Sequence, residues 1–118
     1  GGDGYLARIG PDGRPVFSTF VGGRGEDVTF GPAVDREGNV YVTGRTASPD
    51  FEVTPGALDM DFSGGVDSFL RVYGPDGRLL YSTFLGGSGD DNTRGITLDR
   101  EGNPIILGST TSKDFPAS

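Results

Sequence analysis

Gly74-Pro75-Asp76-Gly77-Arg78, then Ser82-Thr83-Phe84, then Asp99-Arg100-Glu101-Gly102-Asn103 repeat what the chain has already said. Gly10-Pro11-Asp12-Gly13-Arg14, Ser18-Thr19-Phe20 and Asp35-Arg36-Glu37-Gly38-Asn39 stand 64 residues earlier, in the same order and without a gap. Of the 54 pairs that this offset aligns, 27 are identical, and others exchange like for like, as in Tyr5/Phe69, Phe17/Tyr81, Val21/Leu85 and Val34/Leu98. A period this long marks a repeat architecture, in which each unit buries its apolar face against its neighbours. Residues 1–64 form the first repeat and 65–118 the second, which stops ten residues short of a full period.

Within one period the signals are those of strands. No stretch of a dozen residues shows helical apolar spacing free of Gly or Pro. Tyr5–Ile9 is an expected strand, and Gly10-Pro11-Asp12-Gly13 is turn chemistry: proline presets φ, aspartate caps, glycine accepts positive φ. Val16–Val21 is the second strand and 22–27 a glycine-rich acidic loop. Phe30–Asp35 is the third strand, 36–39 a tight turn and Val40–Gly44 the fourth strand. The second period gives Phe69–Tyr73, Leu79–Leu85, Gly95–Asp99 and Pro104–Gly108. Four short strands joined by hairpins make an antiparallel meander, the unit of a β-propeller blade. The expected fold is all-β, a single repeat region over 1–118 with about two blades' worth of strands.

Composition narrows the function classes. Twenty-two Gly and eight Pro make about a quarter of the chain, and their regular placement between apolar runs reads as turns rather than disorder. A net charge of −7 and a pI near 4.3 speak against nucleic acid as a partner and against anionic lipid. Without Cys there is no disulfide or thiolate chemistry, and without His the commonest general base is missing. No apolar run is long enough to span a membrane. Gly1 suggests a processed or trimmed end.

The stretch Tyr81-Ser82-Thr83-Phe84-Leu85-Gly86-Gly87-Ser88-Gly89-Asp90-Asp91 carries a resemblance, together with Gly95-Ile96-Thr97-Leu98-Asp99, Gly102-Asn103, Gly108-Ser109-Thr110-Thr111 and Asp114-Phe115-Pro116. The first copy matches it with Gly31-Pro32-Ala33-Val34-Asp35, Asn39-Val40-Tyr41-Val42-Thr43-Gly44, Asp50-Phe51 and Thr54-Pro55-Gly56-Ala57. On these residues the chain resembles the SBBP family, a bacterial repeat named for a seven-bladed β-propeller. Glu52 in place of Pro116, Pro104 at a strand start and the acidic 59–61 stretch depart from the pattern. The resemblance implies that the strands at Phe30 and Gly95 are innermost, near a central channel. The chain would then open on the two outer strands of one blade, complete a second over residues 30–85, and close on the two inner strands of a third.

The candidate sites are few. Ser18 and Ser82 sit in expected strands with no base nearby. Glu26/Asp27 and Asp90/Asp91 are paired carboxylates in glycine-rich loops. Such pairs serve acid–base work in glycoside cleavage or contact a cation or glycan, and they are also ordinary solvated turn residues. Asp59-Met60-Asp61-Phe62-Ser63-Gly64-Gly65-Val66-Asp67 spaces the oxygen donors Asp59, Asp61, Ser63 and Asp67 by twos and fours around glycine, with the Gly65 carbonyl between. Hard donors so spaced can wrap Ca²⁺, although Leu70 stands where an EF-hand has its bidentate glutamate. Asp67 also pairs with Asp3 in the repeat and can simply start a strand. The strand aromatics, Tyr5, Phe20, Phe69 and Phe84 among them, suit packing between blades or a sugar-stacking platform.

The expectation is therefore a non-enzymatic scaffold or protein-interaction module, needing no cofactor beyond a candidate Ca²⁺. From the resemblance it would be extracellular or on a bacterial cell surface. A lectin-like, carbohydrate-binding propeller is the alternative, and a glycan-processing enzyme is third. Two blades alone would leave broad apolar faces in water. The expected partners are thus copies of the chain, three or four closing a six- or eight-bladed ring, or further repeats of a longer polypeptide.

Overall fold

The computed structural model describes residues 3–62 and 65–114. Among these residues eight antiparallel strands follow in chain order: β1 (Gly4–Ile9), β2 (Pro15–Val21), β3 (Asp27–Val34), β4 (Val40–Thr46), β5 (Asp67–Tyr73), β6 (Leu79–Leu85), β7 (Asp91–Leu98) and β8 (Pro104–Thr110). They form three sheets. β3-β4-β5-β6 is a complete four-stranded meander, while β1-β2 and β7-β8 are two-stranded. The complete sheet therefore straddles the boundary between the two sequence repeats, in the phase expected.

Turn chemistry sets the hairpins. Gly13 and Gly77 adopt φ of 79° and 90°, a region open to glycine and strained for other residues. In each turn the glycine N–H donates to the carbonyl of the residue three earlier, Gly10 or Gly74. The aspartate between accepts from the following arginine N–H, Asp12 from Arg14 and Asp76 from Arg78.

The inner strands begin earlier than the sequence suggests. β3 starts at Asp27 rather than Phe30, and β7 at Asp91 rather than Gly95. Asp27 pairs with Thr46 and Asp91 with Thr110, which lengthens β4 and β8 by two residues as well. The pattern hid this because Phe30-Gly31-Pro32 breaks the alternation. The β3–β4 register slips between Phe30 and Ala33, where Pro32 has no N–H for the ladder, and a slip recurs between Thr93 and Gly95.

The core lies on one face of the complete sheet. Val40, Val42, Phe69, Tyr73 and Phe84 bury there with Phe51 from the loop after β4, and they join Leu6 and Val21 from β1-β2 in one cluster. Phe51 packs with ring centroids 4.7 Å from Phe69 and 5.7 Å from Phe84, in the tilted geometry that aromatic pairs favour. Gly44 makes room for this. A Cβ there would strike the Val28 carbonyl and lie 2.9 Å from the Phe69 ring. The opposite face of the sheet meets β7-β8, where buried Thr93 Oγ1 donates to the Gly44 carbonyl (3.0 Å) and Arg45 Nη1 to Asn92 Oδ1 (2.8 Å).

Candidate functional site

The paired carboxylates divide between inside and outside. Glu26 and Asp90 are exposed; Asp27 and Asp91 are buried. Asp27 accepts from Thr46 Oγ1, from Ser48 Oγ (2.9–3.0 Å) and from the Gly23 N–H (3.0 Å). Asp91 does the same with Thr110 Oγ1, Ser112 Oγ and the Gly87 N–H. Ser48 and Ser112 in turn accept from Gly25 and Gly89, and Asp50 and Asp114 accept from the N–H groups of Arg24 and Ser88. Each loop is thus stitched to the segment that follows the neighbouring strand. Asp27 and Asp91 are not solvated turn residues, because a loop backbone that leaves water needs acceptors for its N–H groups. Asp90 Oδ1 takes the Val66 N–H at 3.3 Å. The signal that marks this arrangement is the recurrence of Asp27, Thr46 and Ser48 as Asp91, Thr110 and Ser112.

The turns 35–39 and 99–103 are also built alike and border one cleft, with Tyr41 and Leu98 between them. Asp99 accepts from the Asn103 side-chain amide (3.0 Å) and from the N–H groups of Asn103 and Glu101. These bonds, the Asn103 side chain first, hold its carboxyl below the ordinary value of 3.8. At Asp35 lost hydration pushes upward, but Asn39 and the Glu37 N–H outweigh it and the carboxyl is again lowered. A carboxylate lowered on folding stabilises its turn above 3.8, and that contribution is lost as pH falls through the lower folded value. The carbon-detected NMR titration of Asp99 is therefore expected to have its midpoint below 3.8; a midpoint at or above that value would contradict the Asn103 bond.

Two of the candidate calcium residues, Asp59 and Asp61, are joined by a hydrogen bond. Asp59 Oδ1 accepts the Asp61 N–H (3.0 Å), while the Asp59 N–H and carbonyl bond to Thr83 Oγ1 and the Phe84 N–H. Asp67 is buried at the start of β5, opposite Thr46. Gly65 has φ of 63° beside the Asp90 carboxylate. Ser63 lies outside the described residues. Among the described residues no three metal-ligating acidic side chains gather.

One polar side chain that the sequence does not single out is Arg71. It is buried on β5. Its Nε donates to Ser82 Oγ (3.0 Å), Nη1 to Tyr73 Oη (3.3 Å) and Nη2 to the Glu52 carbonyl (3.0 Å). The guanidinium carbon sits 3.9 Å from the Phe51 ring centroid, a cation–π placement. Ala7 holds this position in the first repeat, so symmetry gave no hint. Arg71→Ala is expected to lower the unfolding free energy by about 2–3 kcal/mol, because it orphans buried acceptors. Arg71→Lys should recover less than half, since ammonium lacks the planar fork. Urea unfolding checks both; a loss of a few tenths for Arg71→Ala would contradict the account.

What remains open to a partner is sheet edge and apolar face. Among the described residues, β1 and β8 each have one edge to which no strand is paired. Tyr5, Ile9, Val16 and Phe20 are exposed on β1-β2, and Ile105 and Leu107 on β8. No helix among the described residues is long and apolar enough to cross a membrane. The curated proteins contain no match to the chain. The β-propeller repeat of the SBBP family matches it twice, over residues 16–52 and 80–116, and each match runs through a stitched glycine loop and an Asp-Arg-Glu-Gly-Asn turn. One complete blade flanked by two half-blades is what such repeats build, and the chain belongs to the SBBP β-propeller repeat family.

Proposed function

We propose that the chain is a non-enzymatic, extracellular or cell-surface scaffold that works as an interaction module, associating with further repeats of its own kind. The observation that carries this reading is the state of its two end sheets: each is half of a blade, with an open edge and an apolar face. Open edges and contiguous apolar faces are docking surfaces in water. The use of the polar residues supports the same reading. The repeated aspartates, threonines and serines are hydrogen-bonded to backbone in both copies, which suits a structural part better than a reacting one.

The reading calls for no cofactor, and the melting temperature with and without millimolar Ca²⁺ tests the 59–67 loop by linkage. For the activity itself, a screen of polysaccharide and ester substrates should give no turnover above background. Turnover that disappears in Asp90→Asn or Glu26→Gln, and persists in Arg14→Ala, would overturn the non-enzymatic reading. A lectin-like reading has one observation in its favour, the exposed aromatics Tyr5 and Phe20 facing each other across β1-β2. A glycan array separates it: retention lost in Phe20→Ala would favour sugar stacking.

A further inference from the structure

We propose that Tyr5 and Phe20 are the plug, and a cavity beside β8 the socket, of a head-to-tail junction between two copies of this chain. The inference rests on the assembly reading above and names the residues that carry it. Tyr5 and Phe20 are 73% and 77% exposed. Their counterparts 64 residues on, Phe69 and Phe84, are 0% and 2% exposed, and lie in one cluster with Leu6 and Val21 of the preceding half-blade. One repeat therefore shows the other's missing environment. The residues that correspond to Leu6 and Val21 are Leu70 and Leu85. Leu85 is only half-buried, and it lines a cavity of about 350 Å³ with Ser68, Thr93, Ile106 and Leu107. The outer strands that would cover this cavity, in the pattern of β5-β6 on β1-β2, have the sequence of β1-β2.

The backbone makes the same assignment. Within the complete blade, β4 pairs β5 antiparallel from Val40↔Tyr73 to Thr46↔Asp67. Shifted by one repeat, forward on β4 and back on β5, that ladder becomes Pro104↔Ile9 through Ile106↔Ala7 and Gly108↔Tyr5 to Thr110↔Asp3. The strands it joins are β8 and β1, each with an unpaired edge. Leu107 would then stand opposite Leu6, in the place where Thr43 stands opposite Leu70, and Thr43 is fully buried where Leu107 is exposed. The contact joins unlike surfaces, so it is heterologous and propagates to a ring or a chain of copies.

Complementation tests it with the 118-residue chain. Phe20→Asp spoils the plug and leaves the socket; Leu107→Asp spoils the β8 side of the ladder, where Leu107 would stand opposite Leu6, and leaves the plug. Both sites are on exposed strand faces, and circular dichroism with a cooperative melt shows whether each variant is folded; Tyr5→Asp and Leu85→Asp are the substitutes if one is not. Each variant alone is expected to associate at least tenfold more weakly than the unaltered chain in sedimentation velocity. An equimolar mixture is expected to form a 1:1 dimer, through the one intact plug and the one intact socket. Two spoiled variants that fail to complement would overturn the head-to-tail junction. Self-association untouched by any of the four substitutions would overturn these residues as the junction and leave the assembly reading in place. An unaltered chain that is a folded monomer at every concentration would overturn both. The chain has no cysteine, so a second readout is clean: Ala7→Cys mixed with Ile106→Cys should crosslink on oxidation, being directly opposed across the ladder. Ser18→Cys in place of Ala7→Cys should not.

Discussion

Phe69→Ala is expected to lower the unfolding free energy by about 3–5 kcal/mol, the range for removing a large buried aromatic. Phe69 is fully buried, packs at a tilt against Phe51, and rests over Gly44, where no side chain can follow the receding ring. The cavity would therefore stay open rather than collapse. Tyr5→Ala, at the same place in the first repeat, is expected to change the intrinsic stability of the unassociated chain by less than about 0.5 kcal/mol, as exposed substitutions do. Urea unfolding at low concentration makes the comparison. Equal losses at the two sites would mean that the end sheet is covered within one chain.

Asp27→Ala should cost about 3–4 kcal/mol. It removes the common acceptor of Thr46, Ser48 and Gly23, and orphaned buried donors cost about 1–3 kcal/mol each, with part of the sum recovered by relaxation. The exposed Asp50, which holds the same loop through the Arg24 N–H and a 3.7 Å ion pair, should cost under about 1 kcal/mol when replaced by alanine. Hydrogen exchange adds a spatial signature. Asp27→Ala should release protection in the complete blade, and Asp91→Ala should release it in β7-β8 while β4 and β5 stay protected. An Asp27→Ala chain as stable as its parent would contradict the stitching of the glycine loop.

The parts legible in the sequence were those set by local chemistry repeated at a fixed spacing. The Pro-Asp-Gly and Glu-Gly-Asn turns marked the hairpins, the offset of 64 marked two blades' worth of strands, and the resemblance to a propeller repeat placed the complete blade across the repeat boundary. The parts that escaped depend on neighbours distant in sequence. Asp27 looks like any acidic loop residue until Thr46 and Ser48 are brought to it. Arg71 looks like a surface charge until Ser82, Tyr73 and the Glu52 carbonyl surround it. Tyr5 and Phe69 are counterparts in the repeat and opposite in exposure, because burial in a propeller is decided by the adjoining blade. The same logic makes the end faces the informative surface of this chain.

The most direct measurement is sedimentation equilibrium of the 118-residue chain over a hundredfold range of concentration. Two half-blades with complementary edges predict a species that grows with concentration to multiples of 12.3 kDa, with three- or four-chain closed rings as the compact end points. A folded, cooperatively melting monomer of 12.3 kDa at every concentration would contradict the claim that the open half-blades seek each other.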